Sequence, residues 1–423
     1  MKASKKETVT KLFSTPEEEL VFMQALIQRI VDECPRRVAN SDSERRAQDI
    51  LAAELAKLPL QTHTEGFRFN ESLYANIALH FGVALLGNAV GHKRPLIGGL
   101  LQGLAAYSYW SDSTRNGYLL RRLLPWGDSQ NLLAVSPAKS GAPKLRIVLL
   151  GHADAAFTGW IFNPELMKRV LHSPLPDNLR FLDRMMEVAT FATAINGAVD
   201  LLRATNRASA PSTRALRALL GAVPALVTLF NAQVVLKNEV VPGANDNLTG
   251  CVVLPVLASR LLQDQPDDVE LVFGVCGSEE TSLGGSDALA RAHQADWSTE
   301  NTIVLAVDTL SCGEIRFVER EGELNPVRID TSLRRTIQRA ISKDPRFRTI
   351  RGFDMPVGGT DAQPFVRRGY LGTAITCIDP EIGAPKNYHY PSDTPENVEP
   401  VQLMESVDFI ETLVREVIRE YGS

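Results

Sequence analysis

The chain has 423 residues, of which 44% are hydrophobic and 22% are charged, a mix typical of globular proteins. This composition excludes a disordered chain, a collagen-like fibre and a disulfide-rich scaffold, and the length predicts two or three domains. The net charge of −5 gives no indication of nucleic-acid binding. Five widely spaced cysteines without a C-x-x-C pair predict reduced thiols, and the N-terminal stretch lacks the apolar core of a secretory signal. We therefore expect a cytoplasmic protein.

The first predicted elements are two helices and a strand. Thr15 and Glu18 form a capping-box start, and apolar residues recur at helical spacing from there to Cys34. A second helix is predicted over about 43–58. An alternating run then predicts a strand over 62–69.

Two segments, 71–127 and 155–238, differ from the rest of the chain because they are rich in Leu, Ala and Gly. They contain four long uncharged runs, at 73–91, 95–111, 188–199 and 218–236. The two segments carry 14 basic and seven acidic residues, a net +7, so the remainder of the chain carries −12. We interpret them as insertions into an acidic domain.

The remaining sequence alternates short apolar strands with helices. Strands are predicted at 132–135, 145–150, 269–276, 302–307 and 371–378, and helices at 248–262, 284–293, 332–342 and 401–421. This alternation predicts an α/β fold with three layers, in which helices cover both faces of a mixed, largely parallel sheet. We predict one α/β domain built from blocks 14–70, 128–154 and 239–423, with 71–127 and 155–238 forming an inserted apolar helical subdomain.

Side chains that can bind metal follow the predicted strands. They are His152 and Asp154 after the strand at 145–150, Glu279 and Glu280 after 269–276, Asp308 after 302–307, His389 beyond the last strand, and Asp246 just before a helix. Each alone has an ordinary explanation as a turn, a helix cap or a solvated surface residue. Because open α/β sheets place ligand sites beyond the carboxyl ends of their strands, the set together predicts a metal site.

The donor types suit zinc. Two histidines and three carboxylates offer nitrogen and oxygen ligands for two ions, with one carboxylate shared between them. Of the adjacent pair Glu279 and Glu280, one faces the metals while its neighbour takes a proton from water. Asp154, two residues beyond His152, is placed to fix the imidazole tautomer.

These motifs resemble the M28 family of zinc aminopeptidases. The matching segments are GHAD at 151–154, GANDNLTG at 243–250, SEE at 278–280, VD at 307–308, TDAQPF at 360–365 and YHYPSDTPEN at 388–397. Their order and approximate spacing fit the family over residues 14–70, 128–154 and 239–423. The resemblance implies a zinc-exopeptidase fold and two zinc ions per chain.

The resemblance also implies a role for each site residue. One zinc would take His152 and Asp308, the other Glu280 and His389, and Asp246 would bridge them. Glu279 would be the general base, taking a proton from the attacking water and delivering it to the leaving amine, and Asp154 would orient His152. The expected activity is removal of N-terminal residues from peptide substrates.

Two departures from the family limit this inference. The family often has His after the Asp of the TDAQPF segment, where this chain has Ala362. Compact soluble members also lack the two insertions. We consider three structures for the insertions: a packed helical subdomain that shapes the site entrance, a membrane hairpin, or a basic apolar face for membrane-surface attachment or self-association.

Alternative functions remain open at this point. A related metallohydrolase, either a carboxypeptidase or a single-zinc glutaminyl cyclase of similar fold, would use similar residues. A non-catalytic binding protein on the peptidase fold is the third alternative. Such a protein usually loses ligands or the base, and none is missing from this sequence.

Overall fold

The computed structural model describes residues 11–166, 168 and 184–422. Within them, nine strands form one mixed sheet. The strands are β1 (Gln61–Phe69), β2 (Gly127–Ser136), β3 (Leu145–His152), β4 (Val269–Cys276), β5 (Thr302–Val307), β6 (Glu314–Glu321), β7 (Val327–Arg328), β8 (Arg351–Asp354) and β9 (Leu371–Ile378). Their order across the sheet is β1-β2-β4-β3-β5-β9-β6-β7, and β8 pairs with β6.

The four central strands β4, β3, β5 and β9 are parallel, so their carboxyl ends meet at one edge of the sheet. Antiparallel strands flank them: β2 pairs with β4 on one side and β6 with β9 on the other. Every residue of β3 and β5 is buried, as expected for strands covered on both faces.

The helices are α1 (Pro16–Glu33), α2 (Asp42–Leu55), α3 (Leu73–Gly91), α4 (Pro95–Ser113), α5 (Met185–Ala204), α6 (Ala210–Lys237), α7 (Gly250–Leu261), α8 (Gly284–Ala292), α9 (Thr331–Ile341), α10 (Gln363–Val366) and α11 (Pro400–Tyr421). Helices α1, α2, α7, α9 and α11 supply the apolar side chains that cover one face of the sheet. Helices α8 and α10 cover the other. The predicted three-layer α/β/α fold is thereby confirmed.

The helices of the two apolar segments, α3 to α6, pack on one another; we call them the bundle. Helix α4 lies against α3 and α5, and α6 lies against α3 and α5. A methyl group added at Gly98 of α4 would lie 2.3 Å from Cα of Gly91, so glycine permits the close crossing with α3. The division of the chain into domains stays a prediction, but the two apolar segments do meet in space.

The structure differs from the predicted elements at several places. Strands β6, β7 and β8 were not predicted, since β6 mixes charged and apolar residues and β7 and β8 are short. Strand β2 begins at Gly127, earlier than the predicted start at 132, because its polar first half also pairs with β1. Helix α5 is longer than the uncharged run at 188–199, and α6 continues through Pro224.

A buried ion pair joins the bundle to the α/β domain. Asp112, at the end of α4, accepts hydrogen bonds of 2.7 and 2.9 Å from Arg121, and both side chains are buried. Arg121 also donates to the carbonyl of Thr281, which follows the end of β4 by a few residues.

We expect Asp112→Asn to lower the free energy of unfolding by about 3–5 kcal/mol, because it leaves the buried Arg121 charge without its counter-ion. The matched control is Asp128→Asn, which breaks the exposed pair with Arg68 and should change stability by less than about 1 kcal/mol. Thermal unfolding followed by circular dichroism measures both. Equal stability of the two variants would contradict this assignment.

Candidate metal centre

All five predicted metal ligands converge beyond the carboxyl ends of the parallel strands. His152 ends β3, and Asp308 follows β5 directly. Glu280 lies in the turn after β4, Asp246 in the turn before α7, and His389 in the loop after β9. The side chains of all five are largely or fully buried.

Asp246 lies between the two histidines. Its Oδ1 is 3.4 Å from Nε2 of His152, and its Oδ2 is 3.2 Å from Nε2 of His389. Glu280 Oε2 is 3.2 Å from the same His389 nitrogen, whereas Asp308 Oδ2 is 3.9 Å from His152 Nε2. The five side chains thus form two neighbouring groups that share one carboxylate.

Asp154 supports both sides of the centre. Its Oδ1 lies 3.4 Å from Nδ1 of His152, consistent with the predicted orienting role. The same carboxylate accepts the backbone N–H groups of Glu279 at 3.1 Å and Glu280 at 3.0 Å. Asp154 therefore fixes the glutamate pair as well as the histidine, which the sequence did not predict.

The turn that carries Asp246 is fixed by hydrogen bonds on both sides. Asp393 accepts the backbone N–H groups of Asn245 and Asp246, at 2.7 and 3.0 Å. The side chain of Asn247 donates to the carbonyl of Val307 at 2.9 Å and accepts the backbone N–H of Thr309 at 3.2 Å. Asn247 therefore holds Asp246 beside the end of β5, and Asp393 fixes the turn from the other side.

Glu44 of α2 is a supporting residue that the sequence reasoning missed. It accepts the backbone N–H of Ser278 at 2.7 Å and the hydroxyl of Ser129 at 2.8 Å. Burial, together with the nearby charge of Asp154, raises the pKa of Glu44 to about 8. Ser41 caps α2 at the N–H of Glu44, so the sequence signal of Glu44 is that of a capping box.

The bundle reaches the centre through Tyr74, the second residue of α3. Its hydroxyl oxygen lies 3.2 Å from Nδ1 of His389, and its side chain is buried. Phe162, from the second apolar segment, places its ring 4.7 Å from the His389 ring. Both apolar segments therefore contact the same predicted ligand. Tyr74 was missed because its hydroxyl lies within an apolar run.

Charges of one sign accumulate in the centre. Burial and the neighbouring Glu280 raise the pKa of Glu279 well above its ordinary value, against the effect of His152. Burial and the charge of Asp246 do the same to the pKa of Asp308. Burial opposes ionisation of Asp246, but hydrogen bonds from His152 and His389 hold its pKa below the usual range.

The residues fit a divalent cation. Oε1 of Glu280 and Oδ1 of Asp308 are buried without a hydrogen-bond partner in the part of the chain that the structure describes. His152 belongs to two groups of donors that can hold an ion, one with Asp246 and Glu280, the other with Glu279 and Asp308. Imidazole nitrogens with carboxylate oxygens are zinc ligands, and a cation would offset the crowded negative charge.

The segment at 360–365 lies beside the centre rather than in it. Asp361 and Ala362 are buried, and Ala362 packs in the apolar layer between the sheet and helices α8 and α10. The alanine side chain itself therefore contributes no polar group there. This agrees with the expectation that its departure from the family pattern costs no metal ligand.

Comparisons with known proteins identify a matching family segment and a shared fold. The model of peptidase family M28 matches residues 231–414. A zinc aminopeptidase from Bacillus subtilis shares the fold with a TM-score of 0.55 and 13% identity, over 94% of this chain and 95% of that one. An aminopeptidase from Aneurinibacillus sp. strain AM-1 gives 0.53 and 13%, over 93% of each chain.

A glutaminyl cyclase from Bacteroides thetaiotaomicron also shares the fold, with a TM-score of 0.52 and 13% identity over 96% of this chain and 99% of that one. Identities this low show the fold alone. A search of curated proteins gave no match. The family match includes four of the five predicted ligands, Asp246, Glu280, Asp308 and His389. On this evidence residues 231–414 form a segment that matches peptidase family M28, within a chain that shares the fold of zinc aminopeptidases.

Proposed function

We propose that this M28 peptidase is an aminopeptidase that removes N-terminal residues from peptides with a two-zinc centre. The observation that carries the proposal is the position of Asp246, which offers one carboxylate oxygen to each of two histidine-containing groups. A single-ion site has no need of such sharing. The presence of Glu279 beside the ligands adds the base that hydrolysis requires.

We assign the ligand sets as the resemblance to the family implies. His152 and Asp308 would hold one ion, His389 and Glu280 the other, and Asp246 would bind both. Bound zinc supplies Lewis acidity, which polarises a substrate carbonyl and lowers the pKa of water.

Glu279 carries the proton in this mechanism. Its Oε2 is 3.7 Å from Nε2 of His152, and its backbone N–H is held by Asp154. It accepts a proton from the water that attacks the scissile carbonyl and returns it to the leaving amine nitrogen. Asp154 accepts the backbone N–H groups of Glu279 and Glu280 and so fixes the turn that carries both side chains.

Glutaminyl cyclisation is the second candidate, because a glutaminyl cyclase has the same fold. This reaction would use a single zinc ion and a peptide that begins with glutamine. The shared position of Asp246 favours hydrolysis over this reaction.

We expect Glu279→Gln to retain zinc and to lower kcat by about 10²–10⁴-fold, the usual contribution of a general base. Hydrolysis of a panel of aminoacyl-nitroanilides by zinc-loaded protein measures the effect. Glu300→Gln is the control and should behave as the parent, because Glu300 is exposed and precedes the amino end of β5, whereas Asp308 follows its carboxyl end. Near-normal turnover by Glu279→Gln would rule out the proposed base.

We expect two zinc ions per chain at saturation and loss of hydrolysis on dialysis against a chelator, with recovery when zinc returns. Asp246→Ala should lower the bound zinc, since it removes a ligand from both groups. Elemental analysis measures the zinc bound per chain, and the hydrolysis assay measures the activity. One ion per chain, with cyclisation of N-terminal glutamine peptides and no hydrolysis, would replace the first proposal by the second.

We expect Tyr74→Phe to weaken zinc binding by about 10–100-fold, the cost typical of losing a group that orients a metal-binding histidine. With Nε2 of His389 bound to zinc, Nδ1 would carry the proton, and the Tyr74 hydroxyl lies where it would accept it. Competition with a chromophoric chelator measures the affinity directly. Tyr107→Phe, at an exposed position of α4, is the control. Unchanged zinc affinity in Tyr74→Phe would show that the contact is only structural.

A further inference from the structure

The outer surface of the bundle is apolar. The large exposed hydrophobic side chains of α4 to α6 include Leu96, Leu100, Leu104, Trp110, Phe191, Ile195, Leu202, Leu219, Leu226, Leu229 and Leu236. Outside the two apolar segments, the described chain exposes only three such side chains, Val21, Val357 and Val401. A water-soluble domain rarely exposes an apolar surface this extended.

The interior of the bundle contains a buried polar cluster beside its apolar residues. Gln102 and Asp200 are buried and joined by a hydrogen bond of 3.0 Å. Asp200 also pairs with Arg203 and Arg217, each at 2.7 Å. Polar groups turned inward and leucines turned outward are the arrangement found where lipid replaces water as the solvent.

Small residues line the helix contacts. Gly87 and Gly91 of α3 face Gly98 of α4, and Gly99 of α4 faces Gly197 of α5. A methyl group added at Gly98 or Gly99 would lie within 3 Å of the neighbouring helix. Helices in membranes associate through such close backbone approach, because burial of leucine yields nothing when lipid tails are the alternative.

The dimensions match a bilayer. Three helices of the described chain, α3, α5 and most of α6, are long and apolar enough to cross a membrane. Helices α3 and α4 have 19 residues each and α5 has 20, lengths of about 30 Å that equal the hydrocarbon thickness of a bilayer.

The two ends of the bundle expose different kinds of residue: aromatic side chains at one end and cations at the other. The end next to the α/β domain exposes Tyr107, Trp110 and Trp160, aromatic residues of the kind that lie at headgroup level. Tyr109 ties this end to the α/β domain through a hydrogen bond of 2.6 Å to Glu323.

The opposite end, the tip, consists of the α3–α4 and α5–α6 connections. It exposes Lys93, Arg94, Arg207 and Arg214 and has no exposed acidic residue over 92–94 or 203–214. The two connections meet, because Arg203 donates to the carbonyl of Gly91. A cluster of exposed cations suits the phosphates of anionic lipid headgroups.

We propose that the bundle spans a lipid bilayer, with the α/β domain against one membrane face and the basic tip at the other. The height of the apolar band, its aromatic and basic borders and the buried polar cluster around Asp200 favour lipid over a second copy of the chain or a protein partner. The metal centre then lies close to the membrane surface, because Tyr74 at the start of α3 contacts His389.

The first test uses the full chain purified in detergent. Detergent is removed in the presence of vesicles of phosphatidylcholine and phosphatidylglycerol, and the mixture is floated on a density gradient at high salt and after alkaline carbonate. We expect the protein to float with the vesicles in both conditions. A monodisperse monomer or oligomer in detergent-free buffer, or flotation only when other membrane proteins are added, would overturn the proposal.

Charges introduced at two exposed leucines test whether the outer surface of the bundle contacts lipid. We expect Leu100→Glu combined with Leu229→Glu to lower the membrane-to-soluble ratio in cells by at least about tenfold, since charges are costly in the hydrocarbon. Val401→Glu changes the most exposed apolar residue of the α/β domain and should leave the ratio unchanged. Bound zinc, measured in each variant, shows that the α/β domain has folded. Equal ratios for the double variant and the parent would contradict membrane insertion.

Thiol labelling tests the spanning arrangement. The five native cysteines are buried, so a single introduced cysteine supplies the signal. We expect a membrane-impermeant maleimide to label only one of Arg207→Cys, at the tip, and Glu300→Cys, on the α/β domain, in intact cells, and both after lysis. Labelling of both or of neither in intact cells would overturn spanning.

Discussion

Parallel pairing of β4, β3, β5 and β9 is the constraint on which the metal centre depends. Parallel strands end at the same edge, so residues far apart in sequence are brought to one place. His152 and Asp308 follow directly from this register. The antiparallel strands at either side extend the sheet but contribute no ligand.

A second layer of residues converts this convergence into a defined geometry. Asp154, Glu44 and Asp393 are buried carboxylates, and each accepts backbone N–H groups from a turn that carries a ligand or the base. Acidic side chains held close together repel one another. The hydrogen bonds to these turns keep the side chains in place despite that repulsion. The precision of the site is therefore a property of the turns more than of the ligands themselves.

The sequence predicted the parts of this protein whose signals are local. The central strands are uninterrupted apolar runs, and four of the five ligands lie at or shortly after a strand end or just before a helix, so these could be recognised along the chain. His389, in the loop beyond β9, was recognised through the motif that surrounds it. Strands β6 to β8 were missed because they mix polar and apolar residues without a clear pattern. Their strand conformation depends on pairing with other parts of the chain. Tyr74 and Glu44 were missed because only the folded chain shows what their polar atoms contact. The uncharged runs were recognised from the sequence, but only the structure shows that polar residues such as Gln102 lie inside the bundle.

The place where the second apolar segment enters and leaves the α/β domain has a consequence for how the enzyme matures. His152 precedes this segment and Asp246 follows it, and a backbone bridge between Phe157 and Val240 joins its two ends. A folded bundle holds those ends together and so reduces the loop-closure entropy that the ligands would otherwise have to overcome. Zinc affinity and bundle stability are thereby linked free energies. In the proposed two-zinc form, assembly of the apolar helices would raise the affinity for metal, and bound metal would in turn stabilise the bundle.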